Sequence, residues 1–181
     1  MTGYRTKKGV LLADDESSRT LPPVAYLACT RFSETTWREN VSYRIRTGRP
    51  VVYGTDMRTS DRCSPHGSLL VLEMNNDANR LMGVGFVRNR LDFEGSPHAI
   101  HATQNYNRFV YAGTWWLGRG DLLRHRPDTL AVLEALLFCG RGHMKRLTGI
   151  SLVPAARLAG AGLDAGRLVA DILSLDRLAY G

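Results

Sequence analysis

The chain has 181 residues, with 24 Lys and Arg against 17 Asp and Glu and a formal net charge of +7. That length supports one domain with a real core and not comfortably two. The 44% hydrophobic and 23% charged content is that of a globular protein, no apolar run approaches the ~20 residues needed to cross a bilayer, and the positive excess points to an acidic partner such as nucleic acid or an anionic surface.

Residues 1–20 are polar, mixed in charge and poor in aromatics, and read as a flexible tail with no apolar core of a secretory signal. Pro22-Pro23 then punctuates the chain, and the run from Val24 to Thr30 reads as a short buried strand. A helix follows, with Ser33 as N-cap, Glu34 in its first turn, an apolar stripe of Trp37, Val41 and Ile45, and Gly48 as its stop. Residues 50–54, PVVYG, form another short strand. Residues 55–67 are a polar loop carrying Arg58 and Arg62, long enough to have a function of its own.

SLLVLEM and RLMGVGFV read as a hairpin joined by the turn NNDAN. Gly83 and Gly85 inside its second strand mark a tight bend or a close backbone approach, and no helix follows them, which excludes a dinucleotide-binding fingerprint. A second polar loop spans 89–104, and YNRFVYAGTWWLG gives one or two further strands. RPDTLAVLEALLFCG is a helix capped by Asp128, striped by Leu130, Leu133, Leu136 and Leu137, and ended by Gly140. The Ala-, Leu- and Gly-rich remainder is helical in its second half.

The expected fold class is therefore α+β, a small mixed or antiparallel, barrel-like sheet flanked by helices. The expected organisation is a tail over 1–20, one domain over 21–153, and a helical segment over 154–181 that packs on the domain or on a partner.

No nucleophile elbow, zinc-protease helix, P-loop or deaminase pattern is present. Cys29, Cys63 and Cys139 are widely spaced and form no CxxC, so they read as reduced thiols of an intracellular protein, with neither a zinc ribbon nor a redox pair. His98 and His101 stand at i, i+3, short of the three or four ligands of a zinc site. Glu73, in an apolar strand, is either a buried carboxylate or a residue on a water-facing side. The sequence thus carries no expected catalytic residue, cofactor or metal.

Binding features are stronger. One basic cluster holds Arg31, Arg38, Arg44, Arg46 and Arg49; a second holds Arg141, His143, Lys145 and Arg146. Arginine dominates, and its planar fork pairs with phosphate and stacks on bases. Between the clusters fall Asn105, Tyr106, Arg108, Phe109, Tyr111, Trp115 and Trp116. Adjacent strand residues face opposite sides, so one of Trp115 and Trp116 packs inward while the other lies on the opposite face, under a helix or in a pocket, where it is a candidate stacking platform.

YLACTRFSETTWRENVSYRIRTG resembles the opening of a YTH domain. GSLLVLEMNNDANRLMGVGFV resembles that family's central hairpin, and RFVYAGTWWLGRGDL its later Trp-bearing strand. The resemblance covers about residues 24–123 and extends to the wider PUA-like group with its EVE and ASCH domains; the chain also resembles uncharacterised proteins of large DNA viruses. The YTH/PUA-like resemblance is the one that carries a structural expectation. It implies an α+β barrel that holds one flipped, often methylated base of single-stranded RNA or DNA in an aromatic pocket. By that resemblance Thr30 and Arg31 meet the nucleotide backbone, Thr36 lies near the base edge, and Arg46 and Thr47 take the places of the family's first cage Trp and the Ser after it. Arginine in place of that Trp departs from the family pattern. The alternatives are a structural or virion-associated interaction protein, whose Leu-rich C-terminal helix pairs with a partner, and a metal-dependent nucleic-acid-processing enzyme using Glu73 and a loop histidine.

Overall fold

The structure, a computed structural model, describes residues 25–92 and 98–175. The expected tail over 1–20 lies outside them. Among the described residues, seven strands and five helices follow in chain order: β1 (Ala25–Phe32), α1 (Glu34–Thr47), β2 (Val51–Thr55), β3 (Ser68–Asn75), β4 (Arg80–Arg88), β5 (Phe109–Gly113), β6 (Trp115–Gly118), α2 (Arg119–His125), α3 (Pro127–Phe138), β7 (Ser151–Leu152), α4 (Ala155–Gly160) and α5 (Ala165–Ser174). A 3-10 turn, Gln104–Asn107, precedes β5. No helix among the described residues is long and apolar enough to cross a membrane.

The fold is α+β. Five strands form a mixed sheet in the order β6-β4-β3-β1-β7, and β2 and β5 form a separate antiparallel ribbon. Among the described strands only β1 and β3 run parallel, so α1 and the ribbon strand β2 lie on the crossover between them. The expected barrel is not closed. Thr114 alone separates β5 from β6, yet the two strands enter different sheets, and the ribbon lies over β4.

Alternation in the strands divides the core in two. Leu27, Leu70, Leu72, Val84 and Leu117 face the helices, where Leu122, Leu130, Leu133, Leu158 and Ile172 cover them. Ala28, Leu69, Val71 and Val87 face the ribbon residues Val51, Tyr53 and Tyr111. Of the expected C-terminal helical segment, α4 and α5 put Leu158, Leu168, Val169, Ile172 and Leu173 into the helix-side core.

α1 has the expected ends. The Ser33 side chain accepts from the Thr36 amide, the Thr36 hydroxyl accepts from the Ser33 amide, and Gly48 ends the helix at φ 66°. Of the expected stripe, Trp37 packs against the ribbon-side core and Ile45 does not. Ile45 is 78% exposed, while Asn40 and Tyr43 are buried. Asn40 Nδ2 donates to the Val52 carbonyl at 2.8 Å, so the helix docks on the ribbon through a polar side chain that satisfies a buried backbone acceptor. Asp128 does not cap α3 through its side chain; it lies in the first turn, and Pro127 opens the helix, where its missing N–H costs nothing. The short α2 and β7 have no counterpart among the elements read from the sequence.

Candidate functional site

A cleft of about 320 Å³ opens where β1 ends and α1 begins. Its position follows from the parallel pairing: β1 and β3 end side by side, and the chain leaves one into a helix and the other into a turn. Such carboxyl ends are natural binding places in sheets with crossover connections. Strand β1 supplies Thr30, Arg31 and Phe32, the end of β2 supplies Asp56, the turn after β3 supplies Asp77, and the segment before β5 supplies His101 and Tyr106.

The α1 N-terminus at this cleft is already satisfied. The Glu34 amide donates to Asp77 Oδ2 at 2.8 Å and the Thr36 amide to Ser33 Oγ at 3.2 Å. Asp77 lies on the cleft wall, and behind it the buried Asn75 side chain donates to Glu34 Oε2 at 2.9 Å. Hydrogen bonds from Asn75 and Arg38 hold the Glu34 carboxyl below its ordinary value.

His101 is the most enclosed titratable group of the cleft; its side chain is 3% exposed. Asn107 clamps its backbone, accepting from the His101 amide at 2.9 Å and donating to its carbonyl at 2.7 Å. Its Nδ1 lies 3.0 Å from Glu39 Oε2 on α1. Burial lowers its pKa, against the opposing pull of Glu39, so the ring is neutral at neutral pH. The Tyr106 ring stands edge-on to His101 at 6.0 Å and is 39% exposed.

The second basic segment reaches the same place. Arg31 Nη1 donates to the Lys145 carbonyl at 3.1 Å, and Asn76 Nδ2 donates to the same oxygen at 2.9 Å. Lys145 Nζ donates to Asn79 at 2.7 Å, and Arg146 beside it is exposed. Further along, the Arg58 and Arg108 guanidinium groups each lie 5.4 Å from the centre of the Phe109 ring.

Of the residues expected at a nucleic-acid site, the structure brings Thr30, Arg31, Thr36 and Tyr106 onto the cleft wall. Lys145 and Arg146 adjoin it through Arg31, and the exposed Asn105 is next to Tyr106. Arg108 reaches Phe109, as described. Arg141 is exposed on the loop after α3, while His143 Nδ1 is sealed from solvent with no hydrogen-bond partner among the described residues.

The remaining four lie elsewhere. Arg46 and Thr47 are at the opposite end of α1, roughly 18 Å along its axis at 1.5 Å per residue. Arg46 rests on the Tyr43 ring and the Thr47 hydroxyl donates to the Tyr43 carbonyl. Trp115 packs against the helix-side core and Trp116 against the ribbon-side core. Trp116 Nε1 donates to Glu73 Oε2 at 2.7 Å, and the Arg44 guanidinium covers its ring at 4.3 Å. Neither Trp lines the cleft.

Glu73 is fully buried and away from the cleft. Tyr53 Oη donates to its Oε1 at 2.9 Å and Arg44 Nη1 stands 3.5 Å from the same oxygen. Gly83 and Gly85 are what admit this cluster: a methyl on Gly83 would press on Glu73 and the Trp116 indole nitrogen, and one on Gly85 would collide with Tyr53 Oη. His98 and His101 take different partners, Tyr43 and Glu39, and no group of three or more His, Cys, Asp or Glu able to hold a metal occurs among the described residues. All three cysteines are free, with Cys29 pushed up to about 12 by burial.

The sequence reading missed Glu39 and Asn107. Glu39 meets His101 from 62 residues away in the chain, and Asn107 acts from within an irregular turn. Asp77 was legible only as part of a turn. Compared with known proteins, the chain matches no family model, no curated protein and no solved structure.

Proposed function

We propose that the cleft binds single-stranded nucleic acid, in the first place RNA, with one base seated in it. The observation that carries this reading is the convergence at one enclosed place of an exposed tyrosine, the buried histidine and Arg31, with the 145–146 basic segment at its edge. Tyr106 offers a π-face, and stacking of one base on an aromatic ring contributes ~1–3 kcal/mol. Arg31, Arg146 and the Arg58–Phe109–Arg108 group supply charge along the path of a phosphate backbone. The resemblance to PUA-like base readers points to the same end of the first strand.

Single-stranded recognition fits better than duplex recognition, because one base must leave a stack to enter a cleft. The test is fluorescence anisotropy of a labelled single-stranded RNA with wild type and Tyr106→Ala at two salt concentrations. Binding that weakens with salt and falls about 5- to 100-fold in the variant supports the reading. Equal affinity in both proteins, or no binding by wild type, overturns it.

A further inference from the structure

The Glu39–His101 pair has a polarity that the cleft alone does not explain. A carboxylate only accepts hydrogen bonds, so the His101 nitrogen facing Glu39, Nδ1, carries the proton. In a neutral ring the other nitrogen, Nε2, is then a bare acceptor. Nε2 has no hydrogen-bond partner among the described residues, although the side chain is 3% exposed and forms part of the cleft wall. Four contacts hold this one residue: the Glu39 carboxylate, the two bonds of Asn107, and the edge of Tyr106. So much positioning of a ring whose second nitrogen stays unpartnered marks a recognition group.

We propose that His101 Nε2 accepts a hydrogen bond from the exocyclic amine of the bound base, so that the cleft selects adenine or cytosine over uracil. This rests on the nucleic-acid reading above. The carboxylates of the cleft act in the same sense, while Arg31 spends an N–H on the Lys145 carbonyl. Asp56 and Asp77 add acceptors to its wall. Uracil has a ring N–H, but two carbonyl oxygens flank it and would face those carboxylates. An amine brings two donors and no such repulsion. Glu39 acts through His101 and is a positioning residue.

Protonation reverses the polarity of Nε2 from acceptor to donor. The charged and titratable groups around His101 are Glu39 from α1, bonded to it, Tyr106, whose ring meets it edge-on, and, on the same cleft wall, Asp56 after β2, Asp77 from the β3–β4 turn and Arg31 from β1. Burial lowers the His101 pKa from its ordinary value of 6.5, so the ring takes up a second proton only as the solution is acidified below that value. Preference for the amine-bearing base therefore holds at neutral pH and decays as the solution is acidified.

The experiment uses labelled oligo-A, oligo-C and oligo-U with the full chain, from pH 5 to 8, for wild type, His101→Phe and Glu39→Gln. Wild type is expected to favour oligo-A or oligo-C over oligo-U about tenfold at pH 7.5 and to lose that ratio toward pH 5. His101→Phe is expected to bind oligo-A and oligo-C more weakly, so that the ratio falls to near one at every pH. Glu39→Gln, which frees the ring to exchange its proton between nitrogens, is expected to shrink the ratio. A ratio unchanged in His101→Phe, a pH-independent ratio in wild type, or preference for oligo-U overturns the proposal and leaves the nucleic-acid reading standing. No binding of any oligonucleotide by wild type overturns both. If His101→Phe does not fold, Glu39→Gln and the wild-type pH series decide. Long-range ¹⁵N–¹H correlation of the free protein gives an independent reading: the Nδ1–H form of His101 is expected, and an Nε2–H form overturns the proposal without any RNA.

Discussion

Trp116, partly buried against the ribbon-side core, donates its indole N–H to Glu73 Oε2 at 2.7 Å. With its polar edge bonded and one face covered by Arg44, this tryptophan serves the fold. Glu73 in turn is what Arg44 and Tyr53 point at. Removing the carboxylate would leave a guanidinium that is only 10% exposed beside an empty space. Glu73→Ala is therefore expected to cost about 3–5 kcal/mol, the range for breaking a buried ion pair. Urea unfolding followed by far-UV circular dichroism checks this, and a midpoint within error of wild type would count against it.

The same carboxylate gives stability a pH dependence. Burial raises the Glu73 pKa above 4.5, offset in part by Arg44, Trp116 and Tyr53. The folded state therefore holds this proton more tightly than the unfolded chain does. Its contribution is full below the unfolded value and is lost as pH rises through the folded one. Wild type should lose ground to Glu73→Gln as the pH rises above about 4.5. Paired urea midpoints across that range measure the difference; a constant difference would show that Glu73 titrates as it does in the unfolded chain.

Two glycines separate packing from flexibility. A methyl at Gly85 would collide with Tyr53 Oη, whereas at Gly120, within α2, nothing lies within 4 Å. Gly85→Ala is expected to destabilise by about 1–3 kcal/mol, as overpacked cores do. Gly120→Ala is expected to stabilise by up to ~1 kcal/mol through helix propensity. Thermal melts of both variants give the signs directly, and combining Gly85→Ala with Tyr53→Phe should cost less than the sum of the two.

The exposed arginines make a separate prediction about salt. Arg146 is exposed beside the cleft, and Arg146→Ala should leave the melting temperature within error of wild type. It should lower the slope of log affinity against log salt by roughly 0.7, the value for one phosphate contact to a single strand. An unchanged slope would place the phosphate path elsewhere.

The C-terminal helices are part of the core. Leu158, Leu168 and Ile172 are buried against the five-stranded sheet. Deleting residues 155–181 should therefore unfold the protein, exposing the helix-side core to a hydrophobic dye. A folded truncated chain that merely loses self-association would favour the interaction-protein reading.

Strands and helix ends were legible because their signals are local. Ser33, Gly48 and the NNDAN turn specify their own backbone, and β1 to β4 follow the apolar runs. The α1 stripe held at Trp37, which packs on the ribbon-side core beside Phe32, and misled at Ile45, because the helix docks on the ribbon, whose open carbonyl at Val52 asks for Asn40. The opposite-face argument for Trp115 and Trp116 was sound, since one strand separates two cores. What alternation does not reveal is that Glu73, 43 residues away in sequence, already occupies the Trp116 nitrogen. The cleft was half legible, through Thr30, Arg31, Thr36 and Tyr106. Its other half depends on Glu39 meeting His101 across 62 residues, which no local pattern encodes.

The parallel pairing of β1 with β3 also governs the order of assembly. Ala25 pairs with Ser68, and the outer edge of β1 pairs with Ser151 and Leu152. On the ribosome, β1 waits for β3 to emerge, and its other edge then stays open for about 75 residues more, which at ~5–20 residues per second is roughly 4–15 s of synthesis with one edge of an apolar strand unpaired. During that interval β1 is the segment most exposed to wrong pairing, and a chaperone acting on this chain would meet it there.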